Sequence, residues 1–184
     1  LLTALMVITI AGCTKDTEDD IGKQSVEDKK INVVVSFHAM QELTKLIAKD
    51  KVNITSVIPE GTSAHDFEPK ASDIKNLSKA DVFIYNGLNM EEWAESLIES
   101  ASNDDLEVVK AAKGIDTIKL DEEEHHHEDE HHHEEEESNH SHGNEDPHIW
   151  ISVRESKVAL KNIKDALVKV DKDNKDAYEE NYNK

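Results

Sequence analysis

Short β-branched segments alternate three times with helix-like segments along the chain, and this alternation sets the fold class. The strand-like segments lie at residues 31–36, 52–58 and 81–86, with a weaker fourth at 106–111. Strands that alternate with helices at about 25-residue spacing are typical of βαβ units, which have right-handed crossovers and parallel strands. The sequence therefore predicts an α/β fold over residues 31–172, in which a parallel four-stranded sheet is flanked by helices.

Apolar residues at helical spacing predict the helices, and two capping boxes predict where helices begin. Asn89 with Glu92, and Ser152 with Glu155, each place an acidic residue three positions after a polar N-cap. The predicted helices span residues 38–49, a short segment at 74–77, a segment after Asn89 and a segment after Ser152. Residues 173–184 keep a helical pattern but are mostly polar, so we interpret them as the start of a long connecting helix.

Ligands of open parallel sheets bind beyond the carboxyl ends of the strands. The first strand ends near His38, the second leads into the loop that holds His65, and the fourth leads toward His148. We therefore expect loops that follow different strands to meet at one cleft.

The segment from residue 121 to 146 holds eight histidines and thirteen Asp or Glu, with no Lys, Arg or large apolar residue. We expect residues 121–145 to form a disordered, solvated loop, because they cannot pack a core. Neutral imidazole is the commonest protein ligand of zinc, so we interpret the loop as a metal-collecting arm. Ordering such a loop costs about 1–2 kcal/mol per residue, which predicts weak and interchangeable sites. Its histidines are His125, His126, His127, His131, His132, His133, His140 and His142. The alternative is an acidic spacer whose histidines bind nothing specific.

The net charge of −20 argues against nucleic acid and anionic membrane as partners and favours a cation. The chain has a single cysteine, Cys13, so an intrachain disulfide is impossible. We expect a monomer.

Residues 1–12 are apolar but too short to span a bilayer, which is typical of the hydrophobic part of a signal peptide. The Ile10–Cys13 segment resembles the lipobox of bacterial lipoproteins, so Cys13 is the predicted lipidation site and the mature N-terminus. Residues 13–30 then read as the lipidated cysteine and a flexible tether. The missing initiator Met and the helical pattern at residue 184 indicate a sequence that continues beyond both ends.

His65 and His148 are the candidate metal ligands of the predicted cleft. Pro59 and Gly61 set a rigid turn before His65, and Asp66 and Glu68 could either orient its ring or simply be exposed. Taken singly, a loop histidine is more often an ordinary surface residue than a ligand. We expect His38 to serve at the helix N-terminus or in the cleft wall and not as a ligand, and Trp93 and Trp150 to serve in packing.

Several motifs in the same order make the chain resemble the zinc-specific substrate-binding proteins of bacterial ABC transporters, of the ZnuA and AdcA type. The motifs are Ser36-Phe37, the Pro-x-Gly-x-x-x-His-x-x-Glu-Pro loop at 59–69, residues 79–87, Met90-Glu-Glu-Trp93, the His/Glu/Asp run, and Asp146-Pro-His-Ile-Trp150. The resemblance covers most of residues 31–184.

This resemblance implies a bilobed, lipid-anchored extracytoplasmic protein that holds Zn²⁺ between its lobes and delivers it to a membrane permease. It implies that His65 and His148 are the two ligands of the N-terminal lobe, with a third His and often a carboxylate in a C-terminal lobe that these 184 residues do not include. Some members place an acidic residue before the first ligand, where this chain has Ala64. Imidazole-rich sites favour zinc over manganese, although a manganese-binding member is the nearest alternative.

Two other classes compete with the binding-protein interpretation. A metallohydrolase could use His65, Asp66 and His148, but the chain contains neither HExxH nor GxSxG. A zinc buffer or metallochaperone would act through the His-rich arm alone.

Overall fold

The computed structural model describes residues 29–64, 67–116 and 145–184. The predicted signal segment, Cys13 and all but the last two residues of the predicted tether lie outside these ranges, as do His65, Asp66 and the eight histidines at 125–142. Within the part of the chain that is described, no helix combines the length and apolar character needed to cross a membrane.

Four short strands form one parallel sheet, as the alternation predicts. They are β1 (Asn32–Val35), β2 (Asn53–Ser56), β3 (Val82–Tyr85) and β4 (Glu107–Lys110), in the spatial order β2-β1-β3-β4. Val34 pairs with Thr55 on one side and with Phe83 on the other, and Phe83 pairs with Val108. All four strands therefore end at the same edge of the sheet.

Helices cover both faces of the sheet. They are α1 (His38–Ala48), α2 (Ala71–Leu77), α3 (Ala94–Ala101), α4 (Val153–Val170) and α5 (Lys175–Tyr182). Short 3-10 turns at Ile149–Ile151 and Lys172–Asn174 precede α4 and α5. The predicted α/β class is confirmed.

Alternating side chains of the strands pack into two separate hydrophobic cores, one on each face of the sheet. Val33 and Val35 pack with Met40 of α1, and with Ile163 and Tyr178 of α4 and α5, on one face. On the opposite face the apolar residues of the strands pack against α2 and α3; this core includes Val34, Phe83, Leu77 and Leu97. Burial on both faces explains why these strands read as continuous apolar runs.

Neither predicted capping box forms. α3 begins at Ala94, so Asn89 is not its N-cap residue. Asn89 instead has a left-handed φ of 59°. Ser152 does precede α4, but its side chain makes no capping hydrogen bond. The pattern marked the start of α4 correctly and the start of α3 wrongly, because Glu91 holds the turn before α3 in a different way, described below.

α5 packs back onto the domain. Tyr178 is fully buried, and the Asn181 carboxamide donates a hydrogen bond of 2.9 Å to the backbone carbonyl of Ile47 in α1. A continuation of this segment into a long connecting helix stays a prediction.

Candidate metal site

The described part of the candidate site centres on His148, in the turn that leads into α4. The His148 Nδ1 atom lies 2.7 Å from Asp146 Oδ1, and the His148 backbone N–H donates to the same oxygen at 3.0 Å. Asp146 thus accepts from both the backbone and the ring when Nδ1 carries its proton. Such a carboxylate fixes the tautomer of an imidazole and makes Nε2 the candidate ligand atom.

Trp150 contacts the imidazole from the side, and Phe37 packs in turn against Trp150. The rings of His148 and Trp150 meet edge to face with centroids 5.3 Å apart, and Trp150 meets Phe37 in the same way at 5.0 Å. Phe37 is the residue just before α1, at the end of the first strand segment. Trp150 is therefore a packing residue, as predicted, but its ring also forms part of the wall around His148.

A cavity of about 280 Å³ opens beside these rings at the carboxyl edge of the sheet. Its lining joins the segments that follow β1 and β2 to the turn of His148. The lining residues are Phe37, His38, Ile58, Pro59, Glu60, Gly61, Thr62, Ser63, Ala64, Met90, His148 and Trp150. The predicted meeting of loops from different strands is present in this cavity.

His65 itself lies outside the described residues, so its approach to His148 stays a prediction. The residue before it, Ala64, lines the same cavity as His148. On its other side, Phe67 meets Trp93 edge to face at 5.6 Å. Trp93 thus serves in packing, as expected.

The other residues proposed from the sequence differ in whether they line the cavity. His38 is exposed and lines the cavity, which agrees with a place in its wall. Glu68 is exposed, and Asp66 lies outside the described residues. Within residues 29–64, 67–116 and 145–184, no three His, Cys, Asp or Glu side chains form a group able to hold a metal ion.

Asp146 is a carboxylate that orients a candidate ligand, and its role, unlike the one considered for Asp66 and Glu68, was not predicted from the sequence. The available signal was an acidic residue two positions before a histidine, which lets one carboxylate reach both the backbone and the ring nitrogen. An Asp-Pro-His sequence is therefore a signal for a turn that orients a histidine.

If His148 ligates a metal ion, replacing Asp146 with alanine should weaken metal binding about 10-fold to 100-fold, the usual effect of removing a carboxylate that orients a ligating histidine. Competition with a chromogenic chelator measures the change. Asp81→Ala is a matched control, since the Asp81 carboxylate also accepts a backbone N–H, from Asn32 at 2.7 Å, but at the opposite edge of the sheet. Equal effects of the two substitutions would remove the orienting role of Asp146.

A parallel α/β sheet binds its ligands at the carboxyl edge, and an imidazole oriented by a carboxylate at that edge is able to serve as a metal ligand. The sequence model of one family, Zinc-uptake complex component A periplasmic (ZnuA), matches residues 33–184. The chain belongs to this family, whose proteins serve as substrate-binding components of metal ABC transporters.

Curated relatives are named for two different metals. The high-affinity zinc uptake system protein ZnuA of Bacillus subtilis (strain 168) is 39% identical over 178 residues, which are 97% of this chain and 53% of the relative. The manganese ABC transporter substrate-binding lipoprotein scaA of Streptococcus gordonii is 31% identical over 186 residues, 98% of this chain and 54% of the relative.

A solved structure gives the same fold. The metal-dependent lipoprotein YcdH from Bacillus subtilis superimposes with a TM-score of 0.67 at 36% identity, over 84% of this chain and 50% of the other. The chain thus spans about half the length of the relatives that it matches.

Proposed function

We propose that this chain is the metal-capturing N-terminal lobe of an extracytoplasmic solute-binding protein that binds Zn²⁺ and delivers it to an ABC permease. The observation that carries this proposal is the His148 imidazole, oriented by Asp146 at 2.7 Å and facing a cavity that the residues before His65 also line. An oriented neutral imidazole at the carboxyl edge of a parallel sheet is suited to a divalent transition metal.

His65 and His148 are the proposed ligands from this lobe. Two protein ligands do not complete the tetrahedral set that zinc prefers, so the remaining donors must come from elsewhere in the protein. Closure of a second lobe over the cavity would supply them and exclude water from the metal.

Zinc is the proposed cargo, with manganese as the alternative. Nitrogen-rich sites suit zinc, whereas manganese favours carboxylate, carbonyl and water oxygens. The eight arm histidines add weak nitrogen donors along the chain, which would raise the local zinc concentration next to the cleft. Relatives named for each metal support capture of a divalent cation equally well.

Attachment to the outer face of the cell membrane is proposed to occur through a lipidated Cys13. Relatives named as lipoproteins support this assignment, as does the apolar segment that precedes the cysteine. A tether over residues 13–30 would let the lobe reach a permease partner in the same membrane.

Deleting residues 121–145 should leave one tight zinc site and remove the weak ones. The arm supplies eight of the eleven histidines, but its sites are too costly to order to bind tightly. Calorimetric titration of the full-length protein with and without the arm measures the stoichiometry and the affinity of each class of site. Loss of the tight site on deletion would instead assign the function to a zinc buffer acting through the arm.

A competition titration with the two metals tests the cargo in one direction, because most nitrogen and oxygen sites favour zinc over manganese whatever metal they carry. In a mixture of Zn²⁺ and Mn²⁺, the arm-deleted protein should retain zinc, because zinc exceeds manganese in affinity for most nitrogen and oxygen sites and most of all for imidazole. Retention of manganese under an excess of zinc would favour the manganese alternative.

A metallohydrolase would be recognised by turnover of phosphate or carboxylic esters, which a binding protein lacks.

A further inference from the structure

Asn86 makes a contact that ties the sheet to the turn of His148. It follows β3 directly and is fully buried. Its side-chain Nδ2 donates two hydrogen bonds of 2.9 Å, one to the carbonyl of Gly87 and one to the carbonyl of Pro147, 61 residues away. A carboxamide nitrogen has two N–H groups, so both are used.

The Pro147 carbonyl lies at the centre of the His148 turn. It also accepts the backbone N–H of Ile149 at 2.8 Å, which closes a three-residue turn around His148. His148 has φ −79° and ψ 51°, close to an inverse γ-turn. The Pro147 carbonyl oxygen therefore accepts two hydrogen bonds, one from Ile149 that closes the turn at His148 and one from the Asn86 side chain.

Asn86 is itself held in place by the sheet and by Glu91. Its backbone carbonyl accepts the N–H of Ala112 at 2.9 Å, which extends the pairing of β3 with β4. Its backbone N–H donates to Glu91 Oε1 at 2.8 Å, and Gly87 donates to Glu91 Oε2 at 3.0 Å. One buried carboxylate thus accepts two consecutive amides.

The chain takes an unusual path to bring Glu91 under these amides. Gly87, Leu88 and Asn89 have φ values of 85°, 55° and 59°. Two of these residues are not glycine, and backbone of this kind persists where surrounding contacts over-determine it. Burial raises the pKa of Glu91. The nearby Ser36 hydroxyl and the two amides lower this pKa, but by less than burial raises it.

We propose that Asn86, held by Glu91, is a positioning residue for metal capture: it fixes the Pro147 carbonyl and so sets the direction of the His148 imidazole. Asp146 controls the ring from its own side of the turn, and Asn86 controls the backbone from the sheet. This inference rests on the proposed function, because it requires His148 to be a ligand.

The test compares two asparagines with the same chemistry. Asn103 also donates from Nδ2 to two backbone carbonyls, those of Leu77 at 3.2 Å and Ala80 at 2.9 Å, but at the amino edge of the sheet. Asn86→Ala should weaken zinc binding by the full-length protein about 10-fold to 100-fold, measured by chelator competition. Asn103→Ala should lower the thermal midpoint but leave the zinc affinity within about twofold of the unsubstituted protein, since a structural defect alone does not turn the imidazole.

A second readout separates positioning from stability. Long-range ¹H–¹⁵N spectra of metal-free protein report the tautomer of His148, which should be a single Nδ1–H form in the unsubstituted protein and in Asn103→Ala. In Asn86→Ala the His148 signals should broaden or shift toward a tautomer mixture. If Asn86→Ala does not fold, Asn86→Leu decides: it keeps about the same size, adds no charge and removes both donors, so it should weaken zinc binding by a similar factor.

The outcomes distinguish this inference from the proposed function. If His148→Ala weakens zinc binding strongly while the folded Asn86 variant binds as the unsubstituted protein does, the positioning role is overturned and the function stands. If His148→Ala leaves the tight site unchanged, the proposed function fails, and the inference fails with it.

Discussion

Replacing His148 with alanine should cost this protein most of its tight zinc binding. Zinc sites with four protein ligands are worth about 10–16 kcal/mol, so one imidazole contributes about 3 kcal/mol, or roughly 100-fold to 1,000-fold in Kd. His65→Ala should have an effect of the same size if both rings bind one ion. Competition with a chromogenic chelator, in protein lacking the arm, measures both losses without interference from the weak sites.

His38 provides the internal comparison for this experiment. It lies in the wall of the same cavity and is exposed, so it tests whether any nearby imidazole is sufficient. His38→Ala should weaken binding by less than about tenfold, because a wall residue affects access and hydration but not coordination. If His38→Ala and His148→Ala cost the same, the ligand assignment is wrong, and a model with His38 in the site replaces it.

The fold could be predicted from the strands because burial acts on each of them locally. Continuous runs such as Val33–Val35 and Val82–Ile84 bury side chains on both faces, and a parallel sheet covered by helices accommodates that. The cleft could be predicted for the same reason, since parallel strands end at one edge whatever their loops contain. His38 and His148 accordingly line one cavity.

Contacts between residues distant in the sequence could not be predicted in this way. The hydrogen bond from Asn86 to Pro147 spans 61 residues, and no local pattern announces it. The capping box at Asn89 failed for a related reason: Glu91 accepts the amides of Asn86 and Gly87, and the turn that this requires delays the start of α3 to Ala94. The approach of His65 to His148 stays a prediction.

Replacing Phe83 with alanine should destabilise the domain by about 3–5 kcal/mol, the usual cost of emptying a large buried aromatic site. Phe83 is fully buried in the centre of the sheet, and its ring stacks on Tyr85 with centroids 5.6 Å apart. Pairing with β1 and β4 on both sides prevents the backbone from closing the cavity. Equilibrium unfolding in urea measures the loss. Val153→Ala is the control, since Val153 is 87% exposed and should change stability by less than about 0.5 kcal/mol.

Zinc bound at the proposed site should stabilise the domain against this change, because the proposed ligands lie on loops that the sheet holds together. Zinc at 100 times its Kd should stabilise the native state by about 2.7 kcal/mol and so recover part of the loss in Phe83→Ala. The double variant Phe83→Ala/His148→Ala should recover far less, since its affinity for zinc is lower. Equal recovery in the single and double variants would mean that zinc stabilises the domain from a site other than the cleft.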